Sequence, residues 1–386
     1  MKKLFSLEKF IYISIVAMPL YLIKLVILGV PTNVFEIMAI GVGIWSVVAR
    51  VGSEIDLRDY KRYMIPIVTI IVGATLSMLA GGSYRIGLGI IKSWFVVPII
   101  FAFIVVEKMT VKKILSVLYD SAFLIAVISW GYVWLGKMTY DGRLEAIYNS
   151  PNYLAMYLAP AIIIGSSLFS ERKKYYTFSL AVIAGAFYLT FSYAAWLAVC
   201  VALLGMFFVK EGGWVKWKKI GMTILIILTV VFLQLGTSKF RDLIQAQERS
   251  SLSSRMMIWT SAGKIIIDNP FWGIGPGNFQ NKYLEYQKYF PPYLEWAVPQ
   301  PHNVWLAFWL QTGLIGLAGF LSLLFLWFKT LLGVENEGKK VELMVVGTIM
   351  LYILVHGLFD TTYFKNDLAV VFWLSIFAGI KNTPKT

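Results

Sequence analysis

Few side chains in this 386-residue sequence are suited to moving protons or gripping charge. There are two histidines, His302 and His356, and one cysteine, Cys200, inside an apolar run. One cysteine makes no intramolecular disulfide and no cysteine-based metal site, and two histidines alone make no His-rich zinc site. Imidazole can take and return a proton near neutral pH, so the histidines are the acid–base candidates. On residues alone, His302 reads rather as a histidine that anchors the start of a helix. His356, paired by sequence with Asp360 in HGLFD, reads as structural. The arginine fork grips phosphate with two hydrogen bonds. Arg255 stands four residues before Trp259, on one face of an expected helix, and could also be a solvated loop residue. Arg143, Arg85 and Arg249 are further cations in expected outer segments. Lys92 lies within an apolar run, where an ionisable residue is a functional hypothesis by default, although its stem can also carry the amine to an interface. Asp120 and Glu36 fall near span ends and are expected to face water or a partner. No Asp-x-Asp pair occurs and outer carboxylates are sparse, so a hard cation on acidic ligands is not expected.

The elements that hold these residues are membrane helices. The chain is 58% hydrophobic, 15% charged and has a mean hydropathy of +0.71; soluble domains carry about a quarter charged residues. The 14 Trp and 21 Tyr suit membrane interfaces. A net charge of +14 does not point to nucleic acid, because the basic residues sit in short clusters between apolar runs. Spans of about 20 apolar residues are expected near 10–30, 33–49, 64–80, 87–106, 115–136, 153–169, 176–191, 194–209, 220–236, 303–328, 342–359 and 366–380. The basic start and uncleaved apolar run make the first of these a membrane helix rather than a signal peptide. Clusters such as Lys2 and Lys3, Lys61 and Arg62, Lys112 and Lys113, Lys173 and Lys174, Lys218 and Lys219, and Lys339 and Lys340 fall on one side. The short connections opposite carry only Arg85, Lys137, Arg143 and Lys365. The positive-inside rule then puts both termini in the cytoplasm. The expected fold is all-α: one polytopic membrane domain over 1–386, of about 12 spans, with a helical non-cytoplasmic loop at 237–302 between spans 9 and 10. In that loop, TSKFRDLIQAQE and SSLSSRMMIWTSAGKIIIDNP read as helices, and GIGPGNF reads as a turn, not a nucleotide loop, since no strand precedes it.

In PHNVWLAFWLQTGLIGLAGF, His302 and Asn303 are followed by nine residues and then Gly313, with Gly316 beyond. Together with RMMIWTSAGKIIIDNPFWGIGPGNF upstream, this resembles the signature of the O-antigen ligase and polysaccharide polymerase superfamily. YNSPNYLAMYLAP resembles its Asn-Pro-Asn segment, and HGLFDTTYFKND its penultimate outer turn, so the resemblance covers about 140–380. One departure is Tyr193 in TFSYAAWLA, where relatives often have an arginine that holds the donor diphosphate.

The resemblance implies a metal-independent glycosyltransferase without cofactor in the bacterial inner membrane, with its site on the outer face. It moves a glycan from undecaprenyl diphosphate to a hydroxyl on a lipid or glycan acceptor, among membrane lipids. It implies His302 as base, and Arg255 as the cation for the leaving diphosphate. Arg143 would compensate for Tyr193. Asn303, Trp259, Arg249, Arg85 and Lys92 are expected to contact substrate. A polymerase of the same superfamily is the alternative. A secondary transporter is a weaker one, since no internal repeat is evident. A scaffold would leave the outer cations unexplained.

Overall fold

The computed structural model describes residues 6–27, 29–48, 57–168, 173–210, 251–291, 295–333 and 340–382, with 217, 220, 221, 224 and 225. It is predominantly helical, as its composition requires: in hydrocarbon a helix satisfies its own backbone groups. Helix α1 (Leu7–Val16) starts at Ser6, whose hydroxyl accepts from the Lys9 amide. It does not run on through residue 30. Pro19 sits in a short 3-10 turn, Met18–Leu22, where it removes a backbone donor. A hairpin follows, β1 (Lys24–Ile27) antiparallel to β2 (Val30–Asn33), with Lys24 opposite Asn33 and Ile27 opposite Val30. Val26, Ile27, Val30 and Thr32 are β-branched and favour strand over helix. This hairpin corrects the first expected span and adds two short strands to a chain whose other described elements are helical.

The helices continue as α2 (Val34–Val48), α3 (Lys61–Gly81) and α4 (Tyr84–Ile90). A π-helical stretch, Ile91–Val96, joins α4 to α5 (Val97–Lys108). Then come α6 (Val111–Trp134), α7 (Pro151–Leu168), α8 (Lys173–Leu189) and α9 (Tyr193–Lys210). Of the outer loop, α10 (Ser251–Asp268) and α11 (Phe279–Tyr286) are described. The chain closes with α12 (Val304–Leu332), α13 (Lys340–His356) and α14 (Asn366–Asn382). Among the described residues, four stretches are long and apolar enough to cross a membrane: Arg58–Gly81, Tyr84–Lys108, Val111–Trp134 and Val304–Leu332. Val34–Val48, Tyr193–Phe207 and Val341–His356 are shorter apolar helices. The expected span 220–236, except for its few described residues, and TSKFRDLIQAQE lie outside the described residues.

Two close approaches set the geometry that the outer residues inherit. Helices α3 and α12 meet through glycine: a Cβ on Gly73 would fall 2.3 Å from the Gly316 amide nitrogen. Small residues let membrane helices approach backbone to backbone. Helix α12 breaks at Gly313, whose φ of +66° and ψ of −176° are not helical. The break exposes backbone to the 270–277 loop. Ile274 N–H donates to the Leu310 carbonyl at 2.7 Å, and Leu314 N–H to the Phe271 carbonyl at 2.9 Å. The GIGPGNF segment is therefore a docking turn. Gly273 (φ +65°) lies so close to α12 that its Cβ would meet the Leu310 carbonyl oxygen at 2.5 Å.

Gly73→Ala should destabilise the detergent-solubilised protein by more than the ~1–3 kcal/mol of ordinary overpacking, since the obstacle is backbone. Gly89→Ala, a helical position with nothing within 4 Å, is the control; it should be neutral or gain up to about 1 kcal/mol. Melting temperatures of both variants check this, and a Gly73→Ala protein as stable as wild type would contradict the packing.

Candidate active site

The site assembles where the start of α12 meets the end of α13. Asn303 caps α12: its side-chain oxygen accepts from the Trp305 and Leu306 amides, both at 3.0 Å, and its amide nitrogen donates to the Leu358 carbonyl at 3.0 Å. Val304 N–H donates to the Gly357 carbonyl at 2.7 Å. His302 precedes the cap with φ +47°, a left-handed conformation uncommon for a side-chain-bearing residue. The neighbouring contacts hold it there: its carbonyl accepts from the Trp259 indole on α10 at 3.2 Å. Outer loop, α12 and α13 thus converge on one backbone position.

Asp360 is the centre of the side-chain network and is only 1% exposed. Its Oδ1 lies 2.9 Å from His302 Nδ1 and accepts from the Thr361 amide at 2.8 Å. Its Oδ2 accepts from Asn152 Nδ2 at 3.0 Å and lies 3.8 Å from Arg255 Nη2. Burial pushes this carboxyl up. The opposing charge and hydrogen bond of His302 and the charge of Arg255 outweigh burial and hold it well below the usual carboxylate range. An ionised Asp360 can only accept, so His302 Nδ1 is the donor in this contact and Nε2 is the ring nitrogen left free. This is how a carboxylate orients an imidazole for proton abstraction.

Arg143 enters through Asn152. Its Nη2 donates to Asn152 Oδ1 at 2.7 Å and its Nε to the Thr190 carbonyl at 2.8 Å. Burial lowers the Arg143 pKa, with the charge of Asp141 opposing; an arginine remains cationic under such a shift. Arg255 is differently placed: its Nε is buried without a hydrogen-bond partner, and its contact with Asp360 is longer than a hydrogen bond. The fork therefore keeps donor capacity for an anion. Tyr193 packs edge-on to Trp196 at 5.2 Å.

His302, Arg255, Arg143, Asn303 and Trp259 are thus brought together. The described hydrogen bonds and ion pairs link neither Arg85 nor Lys92 to them. Arg85 is exposed near the start of α4. Lys92 pairs with Glu36 at 2.8 Å and donates to the Pro31 carbonyl at 2.6 Å. Arg249 lies outside the described residues. Glu36 does not face water: it is fully buried and also accepts from Ser93, Thr32 and Asn366. Asp120 accepts from Tyr12 at 3.2 Å and Tyr175 at 2.8 Å. Sequence reasoning missed Asp360 and Asn152. The HGLFD motif held the signal for Asp360, but its side chain turns to His302, while His356 Nδ1 pairs with Tyr352 at 2.8 Å.

Asp360→Asn keeps the shape and removes the charge; breaking a buried pair this way costs about 3–5 kcal/mol. The folded pKa of Asp360 is depressed, so its contribution is complete above the ordinary carboxylate value of about 4 and is lost as pH falls through the folded value. The stability gap between wild type and Asp360→Asn should hold steady from about pH 8 to pH 5 and close only below about pH 4. A gap that closes near neutrality in melting curves would refute an ionised hub.

No curated protein matches the chain. The family model Wzy_C, described as O-antigen ligase, matches residues 178–321. That stretch includes Arg255 and His302, while Arg143, Asn152 and Asp360 lie outside it and join the site by geometry. The match, over less than half of the chain, is to a family described as O-antigen ligase and supports a role in membrane glycan transfer, as ligase or polymerase.

Proposed function

We propose that the protein is an O-antigen ligase-like glycosyltransferase of the bacterial inner membrane. On this reading it moves a glycan from undecaprenyl diphosphate to an acceptor hydroxyl, without a metal. The observation that carries this reading is the Asp360 network, which joins a proton-accepting histidine to two arginines. The acceptor hydroxyl loses its proton to His302 Nε2 as its oxygen bonds to the anomeric carbon. The bond from that carbon to the diphosphate oxygen breaks, and the diphosphate departs as an anion. Arg255 faces that charge with donor capacity to spare, and Arg143 adds a second positive charge near Tyr193. Asp360 stabilises the imidazolium until the proton passes to solvent. Asn303 and Trp259 keep His302 in place, and Arg249, Arg85 and Lys92 remain proposed substrate contacts.

The chemistry assigns an orientation. About twelve spans with both termini cytoplasmic would put 237–302 and the site on the outer face. Reporter fusions after Lys113, Lys174 and Lys219 should read cytoplasm, and one near Asn278 should read outside. A cytoplasmic signal at Asn278 would remove the proposed site from the donor.

The deciding assay is transfer of a labelled glycan from undecaprenyl diphosphate by purified protein, with acceptors supplied singly. His302→Ala should lose about 10²–10⁴-fold in rate while staying folded; near-normal turnover would rule it out as base. Arg255→Lys keeps charge without the fork and should be partly active, and Arg255→Ala far worse. Chelator should leave the wild-type rate unchanged, and its abolition of activity would overturn the leaving-group assignment.

A further inference from the structure

The base of the β1–β2 hairpin gathers more positive charge than its acids use. Lys92 is held by Glu36 and the Pro31 carbonyl. Glu36 also accepts from Asn366 at 3.2 Å, which ties the hairpin base to the residue after Lys365. Lys24 lies opposite Asn33, whose side chain accepts from the Glu36 amide at 2.9 Å. Lys365 is half-buried, with Nζ 4.3 Å from the centroid of the Tyr153 ring. Tyr153 follows Asn152, the bridge between Arg143 and Asp360.

Neither Lys365 nor Lys24 forms an ion pair among the described residues. The nearby Asp367 carboxylate accepts instead from the Tyr148 hydroxyl at 3.0 Å and the Leu368 amide at 2.9 Å. A ring face favours the Lys365 ammonium. Burial lowers the Lys365 pKa; the charge of Asp367 opposes this, the neighbouring charge of Lys24 lowers it again, and Asp360 opposes in turn. Like charges brought side by side repel, and an anion bridging them relieves both.

The surroundings say what kind of anion fits. Val26 is 70% exposed and Val30 54%, on a hairpin whose apolar side chains have no protein partner to bury them. Directly after it, α2 exposes Ile37, Ile40, Ile44 and Val47, an apolar helical stripe that the described residues leave uncovered. Two lysines without an ion-pair partner among the described residues therefore stand beside an exposed apolar surface.

We propose that Lys365 and Lys24 bind phosphate oxygens of a prenyl diphosphate, with the exposed hairpin bordering its lipid chain. Identifying that ligand as the glycan donor rests on the transferase reading. In transfer, the lysines would add a cationic wall beside the Arg143–Asn152 bridge, as flexible point charges rather than forks.

Equilibrium binding to the purified full chain in nanodiscs tests this without requiring turnover. The probes are farnesyl diphosphate, inorganic pyrophosphate and added phosphatidylglycerol. Wild type should bind farnesyl diphosphate more tightly than pyrophosphate. Lys365→Gln and Lys24→Gln should each weaken farnesyl diphosphate binding by about tenfold, and Lys365→Arg should restore most of it. Lys24 is exposed on the hairpin, so its variant keeps the test decisive if Lys365→Gln fails to fold. Wild-type affinity in both glutamine variants would overturn the inference, as would phosphatidylglycerol competing as well as the diphosphate. A protein that binds through these lysines but transfers no glycan would leave the inference standing and remove the transferase reading.

Discussion

A single buried carboxylate organises the place where α10, α12 and α13 meet. Asp360 is almost wholly enclosed, and an unpaired charge in such a place costs several kcal/mol. Its neighbours therefore have to come to it: His302 from the start of α12, Arg255 from α10 and Asn152 from α7. Asn152 in turn fixes Arg143. The demand that one anion be neutralised places a proton acceptor among cations. It also fixes which ring nitrogen of His302 is free. The chemical capacity of the site and the stability of this junction are one electrostatic problem.

That arrangement needs a rigid frame, and the frame is made by removing side chains. Gly73 and Gly316 let α3 and α12 touch backbone to backbone, and the break at Gly313 gives the 270–277 loop two hydrogen bonds into α12. The loop follows directly from α10, so its docking sets where Arg255 and Trp259 stand. Beneath, Phe308 stacks on Phe320 at 3.8 Å and meets Tyr363 at 4.9 Å, packing α12 against the turn that carries Asp360. The glycines of the sequence motif thus act through packing, at a distance from the polar atoms they help to align.

Much of this was legible in the sequence. Apolar runs of sufficient length located the helices, and the spacing of His302, Asn303, Gly313 and Gly316 pointed to the junction of loop and span. What escaped was whatever depended on where a helix stops. The run 10–30 is apolar throughout and reads as one span, yet Pro19 ends the helix and β-branched residues turn the chain into a hairpin. His356 and Asp360 stand four apart, a helical pairing distance, but α13 ends at His356 and the turn after Gly357 sends Asp360 to His302 instead. Glu36 is expected from the sequence to face water or a partner, and the choice is not legible there because its partners, Lys92 and Asn366, are distant in sequence. Helix periodicity reports faces, whereas long-range polar partners are set by tertiary packing.

The central claim is that His302 and Asp360 act as one catalytic unit, and a double-mutant cycle on the glycan-transfer rate tests it most directly. His302→Ala, Asp360→Asn and the double variant would be compared with wild type in the same purified preparation. Residues that act as a unit are strongly non-additive, so the double variant should be scarcely slower than His302→Ala alone. Losses that multiply, with the double variant slower by the product of the two single effects, would show that the carboxylate and the histidine work independently and would contradict the account.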